Sequence, residues 1–135
     1  MNWWRAWTNL SSCRDRSPPY VSSDWQAEAL RECLCPLLEA HNVDLVLNSH
    51  SVVYERSHPI KHGRVAGNGH GCVYLVVGGA RERPDWFHPR RAWHTAHALA
   101  TPHFVNVAVS ASSLEIKAID KDGHVFDTHT ITKTR

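Results

Sequence analysis

Residues 43–60 constrain this chain more than any other stretch. Val43, Leu45, Val46 and Leu47 form a short apolar run, the pattern of a strand covered on both faces. With the helix predicted just before it, such a strand makes a helix-then-strand unit, part of an α/β layer. Asn48, Ser49, His50 and Ser51 follow at once, at the strand end where such folds place their chemistry. A histidine there serves as metal ligand, base or polar cap, and one histidine does not choose among them.

The surrounding residues narrow the choice. Val43-Asp44, His50, Tyr54-Glu55-Arg56 and Ser57-His58-Pro59-Ile60 fall in register with a longer pattern: valine-aspartate, apolar residues, Gly-His-x-His-x-Tyr-Glu-Arg, then Ser/Thr-His-Pro-Ile. The stretch thus resembles the last signature of the calcineurin-like metallophosphoesterases, a family that includes the purple acid phosphatases. The resemblance implies a four-layer α/β sandwich and a dinuclear centre of iron, zinc or manganese bound through both histidines. Here His50 takes the first ligand position, Val52 the second, and Ser49 replaces the glycine. Tyr54, Glu55 and Arg56 are expected to support the ligands from behind or to brace the strand end. Glu55 would pair with Arg56 or orient a neighbouring loop, and the Arg56 guanidinium suits a phosphate.

Upstream, Pro18 and Pro19 fix a rigid turn in Ser17-Pro18-Pro19-Tyr20-Val21-Ser22-Ser23. The segment resembles the family's His-x-Pro-Pro-Tyr-Ser-Ser loop, whose histidine is another metal ligand. Arg16 occupies that position, and a guanidinium has no lone pair for a cation. Ser23 and Gln26 form a capping box that opens a helix, with Trp25, Ala29, Cys33 and Leu37, joined by Leu30 and Leu38, as its apolar face. Pro36 should kink or restart this helix, and Asn42 suits a left-handed terminus. Leu30-Arg31 and Pro36-Leu37-Leu38 also match the family's helix before its valine-aspartate strand.

Gly63, Gly67, Gly69 and Gly71 mark a loop, and Cys72–Val77 reads as the strongest buried strand. A short helix is expected across Arg90–Leu99, placing His94 and His97 on one face. Three strands then close the chain: Phe104–Val109, Leu114–Ile119 with Leu114, Ile116 and Ala118 on one face, and His124–Thr132. Asp120-Lys121-Asp122-Gly123 is the hairpin turn between the last two. The last strand should show Val125, Asp127, His129 and Ile131 on one side. The resemblance covers about residues 17–133. It divides the chain into a divergent lead-in, 1–16, and the C-terminal part of a metallophosphoesterase domain, 17–135. Trp3 and Trp7 in the lead-in have the spacing of one face of a short helix, and an exposed, disordered lead-in fits them equally.

The rest of the composition mainly excludes. A net charge of +2 is too balanced to signal nucleic acid or a membrane surface as partner. Cys13, Cys33, Cys35 and Cys72 lack zinc-site spacing, and Cys33 and Cys35 point to different sides of a helix. No signal peptide or membrane span is evident, which leaves the location open with cytoplasmic as the fallback. The family's Asp-x-His, Gly-Asp and Gly-Asn-His loops, which belong to its N-terminal half, have no counterpart here. Gly-Asp and Gly-Asn-His are absent, and Asp-x-His occurs only as Asp122-Gly123-His124 and Asp127-Thr128-His129 in the closing hairpin. The expectation is therefore a phosphoesterase relative, acting on phosphate esters by resemblance, truncated and inactive alone, with its metal centre not bound by this chain alone. The alternative is a non-catalytic fragment that self-associates through an open sheet edge.

Overall fold

The computed structural model describes residues 6–8, 18–22, 28–49, 51–80, 83–84 and 86–133. Arg16, His50 and the capping box at Ser23 and Gln26 lie outside the described residues, as do the side chains of Trp7 and Ala29.

Among the described residues one helix, α1 (Glu28–Ala40), precedes a β-rich remainder. Leu30, Leu34, Cys35 and Leu38 are buried, a single stripe at helical spacing. This corrects the expected face: Cys33 is exposed and Leu37 is 59% exposed. Three leucines on one stripe bury more apolar surface than the Ala29–Cys33–Leu37 stripe offers. The helix also runs through Pro36 instead of restarting there. Pro36 and Glu32 are both exposed, so water can serve the Glu32 carbonyl that the proline leaves unbonded. Asn42, at φ 50°, ends the helix as expected. The Val43 amide donates to the Leu38 carbonyl and the Asn42 amide to Glu39, each at 3.0 Å, a Schellman closure.

The strands are β1 (Ala6–Thr8), β2 (Leu45–Asn48), β3 (Tyr54–Ser57), β4 (Ile60–Lys61), β5 (Arg64–Val65), β6 (Val73–Val77), β7 (Thr95–Leu99), β8 (His103–Val109), β9 (Ser113–Asp120) and β10 (Val125–Thr132). Five form a mixed sheet in the order β1-β2-β6-β3-β7. β1, β2 and β6 are parallel, and β3 runs antiparallel to both β6 and β7. β10, β9 and β8 form an antiparallel sheet. β4 and β5 form a hairpin turned by His62 (φ 52°) and Gly63 (φ 68°), a two-residue turn inside the stretch read as loop.

Three layers result among the described residues: helix, five-stranded sheet, three-stranded sheet. One core joins Leu30, Leu34, Cys35 and Leu38 to Val46 and Tyr74, with Tyr20 beside them. A second joins Leu45, Tyr54, Val73 and Leu75 to Leu114, Ile116, Ala118 and Ile131, and a smaller third groups Val21, Val53 and Val76. β6 lies mid-sheet with an apolar layer on each face, which accounts for its unbroken apolar run.

Three further expectations change. Ala6–Thr8 is a parallel edge strand, not part of a helix. The expected helix at 90–99 is instead an irregular segment leading into β7. Pairing with the free edge of β3 overrides the helix preference of its alanines and leucine. In β10 a register shift between Val125 and Asp127 breaks the alternation. Val125 is 53% exposed while Phe126 packs into the inter-sheet core.

Candidate functional site

β3 is a polar sequence in a buried place. Tyr54, Glu55, Arg56 and Ser57 are all buried, with Glu55 at 1% exposure. Burying such groups is costly unless each finds a partner. Strand alternation sends them to two sides, so the adjacent Glu55 and Arg56 do not pair.

Tyr54 and Arg56 face the three-stranded sheet and share one carboxylate. The Tyr54 hydroxyl donates to Asp127 Oδ2 at 2.6 Å. Arg56 Nε donates to Oδ2 at 2.6 Å and its Nη2 to Oδ1 at 3.0 Å, a two-pronged ion pair. Burial alone would raise the Asp127 carboxyl, but the bonds from Arg56 and Tyr54 outweigh it and hold it below the usual carboxylate range. Burial and the Asp127 bond push the Tyr54 phenol up, so it remains a neutral donor. The Arg56 guanidinium is engaged with the protein in this arrangement.

Glu55 and Ser57 face the helix side. Glu55 accepts from the Ser22 amide, the Ser22 hydroxyl and the Thr95 hydroxyl, each at 2.6 Å. It thereby ties the Pro18–Ser22 segment and β7 to β3. A register shift after Arg56 sets Thr95 opposite Ser57 and so on the Glu55 face. His94 Nδ1 lies 3.8 Å from Glu55, beyond hydrogen-bond reach. The buried His94 ring is held down to about 4, first by burial and then by the charge of Arg31. Ser57 accepts from the Tyr74 amide at 2.9 Å and donates to the His58 carbonyl at 2.7 Å.

This strand fixes the return leg of the loop that carries His50. Ser51 and Val53 are buried, and the Gly78 amide donates to the Val53 carbonyl at 3.1 Å. A methyl group on Gly78 would collide with the Ser51 carbonyl. Gly78→Ala should therefore displace Ser51 and Val52 and cost about 1–3 kcal/mol, the usual range for overpacking. Urea denaturation checks this, and an unchanged midpoint would mean the loop is not seated on Gly78. Asn48 Oδ1 is buried without a hydrogen-bond partner on the outgoing leg.

Ligand chemistry at this loop is sparse. Val52, at the second ligand position of the resemblance, is a half-buried hydrocarbon. Of the other histidines, His62 is tied to Glu39 and His94 packs on Tyr20 and Trp93. His97 stacks on Phe126, across β7 from His94, so the two do not share a face. Among the described residues the one group of three potential ligands is Asp120, Asp122 and His124, in the β9–β10 turn. Asp120 there already accepts from the Asp122 and His124 amides at 2.9 and 2.8 Å, so turn formation accounts for the cluster. Among the described residues the donor set does not fit a two-metal centre.

Asp127, Ser22 and Thr95 were not singled out from sequence as partners of β3. A signal existed for Asp127: its place on the inward face of a strand otherwise lined by His129 and Ile131 demanded a cation across the core.

No protein-family model matches the sequence, and neither does any curated protein. Solved structures do match. A purple acid phosphatase, PPD1, from yellow lupin (Lupinus luteus) seeds superimposes with a TM-score of 0.77 at 26% identity, over 84% of this chain and 23% of that one. GAP50, the anchor in the inner membrane complex of Plasmodium, superimposes with a TM-score of 0.72 at 18% identity, over 87% of this chain and 35% of that one. The fold is therefore purple acid phosphatase-like, of the metallophosphoesterase type. This chain spans about a quarter to a third of the proteins it resembles. No helix among the described residues is long and apolar enough to cross a membrane.

Proposed function

We propose that residues 17–135 supply the C-terminal part of a metal-dependent phosphoesterase domain, of the four-layer kind that hydrolyses phosphate esters. In this reading the chain provides scaffold and one ligand-bearing loop, but too few donors of its own for a dinuclear centre. The observation that carries it is the pairing of a likeness to lupin purple acid phosphatase over 84% of this chain with a loop whose second ligand position is Val52.

A dinuclear hydrolase centre clamps the attacking and leaving oxygens between two cations about 3.5–4 Å apart. It needs anionic or imidazole donors fixed on several strand ends. His50 offers one imidazole, while Val52 and Arg16 offer no lone pair at the positions the family fills with histidine. Tyr54, Glu55 and Arg56 support the reading as brace residues, because their bonds to Asp127, Ser22 and Thr95 set the start of β3 and hence the loop before it.

Hydrolysis of p-nitrophenyl phosphate by the purified chain, in the presence of iron, zinc or manganese, tests the proposal. The expected result is no turnover above the metal-only control. Saturable turnover abolished by His50→Ala would show that unrecognised ligands complete a centre, and would overturn it.

A further inference from the structure

On the Glu55 side of β3 a pocket of about 390 Å³ opens beside residues 87–98. That size suits a small organic ligand. It shares no residue with the His50 loop. Its lining divides by chemistry into a floor, a wall and a rim.

The floor is Ser22 and Thr95. Each hydroxyl lies 2.6 Å from Glu55 Oε1 and the two lie 2.9 Å apart, so both hydrogens are held within this cluster and the remaining lone pairs are left for the pocket. The floor therefore accepts hydrogen bonds, and it is backed by a buried carboxylate. The wall is Phe87 and Pro89, an apolar surface. Phe87 is held in place by packing on Val21, Val53 and Val76. The rim is His88 and Arg91. The Arg90 amide donates to His88 Nδ1 at 3.2 Å, so that nitrogen is an acceptor and Nε2–H is a donor. Arg91 spends one N–H on the Ala96 carbonyl, which holds the guanidinium at the rim with four N–H groups left over.

A ligand that satisfies all three surfaces has an anionic group for the rim, hydrogen-bond donors for the floor, and an apolar face for the wall. A simple anion would meet the Glu55 charge and the acceptor floor, which it cannot satisfy. A sugar ring has hydroxyl donors and a C–H face together. We propose that this pocket binds a sugar phosphate, with the phosphate on Arg91 and His88, ring hydroxyls on Ser22 and Thr95, and the C–H face on Phe87 and Pro89. This site is independent of any metal at the His50 loop.

Calorimetric titration of the chelator-treated chain with glucose 6-phosphate, inorganic phosphate and glucose tests the assignment. The expected result is saturable binding of glucose 6-phosphate, at least tenfold tighter than inorganic phosphate, with no measurable binding of glucose. The double variant His88→Ala/Arg91→Ala changes two exposed residues. It should keep the circular dichroism spectrum and lose glucose 6-phosphate binding by tenfold or more. Three results would overturn the proposal: no binding at millimolar concentration, equal affinity for inorganic phosphate, or binding unchanged in the folded double variant. Because metal is removed beforehand, none of these outcomes depends on the phosphoesterase reading.

Discussion

Asp127→Ala should destabilise the chain by about 3–5 kcal/mol, the range for removing one partner of a buried ion pair. The substitution leaves the buried Arg56 guanidinium without its two-pronged partner and the Tyr54 hydroxyl without an acceptor. Both are stranded between the sheets, where water does not easily replace the carboxylate. Marginal domains hold only about 5–15 kcal/mol in total, so the variant should be partly unfolded or unfold at much lower urea. Arg56→Met combined with Asp127→Leu removes both charges and should recover much of the loss, because the cost lies in the uncompensated charge and not in the missing bond. A double variant as unstable as Asp127→Ala alone would show that the pair contributes through its own attraction. An Asp127→Ala variant of wild-type stability would mean that the sheets are not tied at this point.

Acid should weaken the fold well before carboxylate chemistry alone predicts. His94 sits 2% exposed against Tyr20 and Trp93, and its folded value is pushed down to about 4. His129 is also lowered, by burial and by the charge of Arg56, and its Nε2 has no partner. A base whose folded value is depressed binds fewer protons folded than unfolded. Its stabilising contribution is therefore complete above the unfolded value near 6.5, and is lost as pH falls from there toward 4. The His94 shift corresponds to about 3 kcal/mol over that window. Asp127, held below the usual carboxylate range, adds a loss of the same sign at still lower pH. Urea unfolding at pH 7.5 and pH 4.5 should differ by several kcal/mol, and His94→Phe should flatten the difference. Equal stability at both values would contradict the burial of a neutral His94.

Much of the framework could be read from local pattern. The Cys72–Val77 run became the central strand β6, and the alternation of Leu114, Ile116 and Ala118 became the buried face of β9. Asn42 and Gly123 were placed by their tolerance of positive φ, found at 50° and 88°. These features depend on residues within a few positions of each other. The misread elements depend on distant partners. Residues 95–99 have a composition a helix would accept, and form a strand because β3 offers an edge. The helix face slipped because Leu34 was left out of the stripe, and only the sheet beneath it fixes that orientation.

The site was legible in part. Tyr54, Glu55 and Arg56 stood out, but their partners lie 33–73 residues away in sequence. Adjacent residues on a strand face opposite sides, which already argued against a Glu55–Arg56 pair. The alternation that exposed Asp127 on the inner face of β10 was visible, but its target was not.

Metal content of the purified chain, measured by elemental analysis after exposure to iron, zinc and manganese and removal of free ions, tests the account most directly. The wild type should carry no stoichiometric metal, and His50→Ala the same background. About two ions per chain, the complement of a dinuclear hydrolase centre, with loss on His50→Ala, would contradict it.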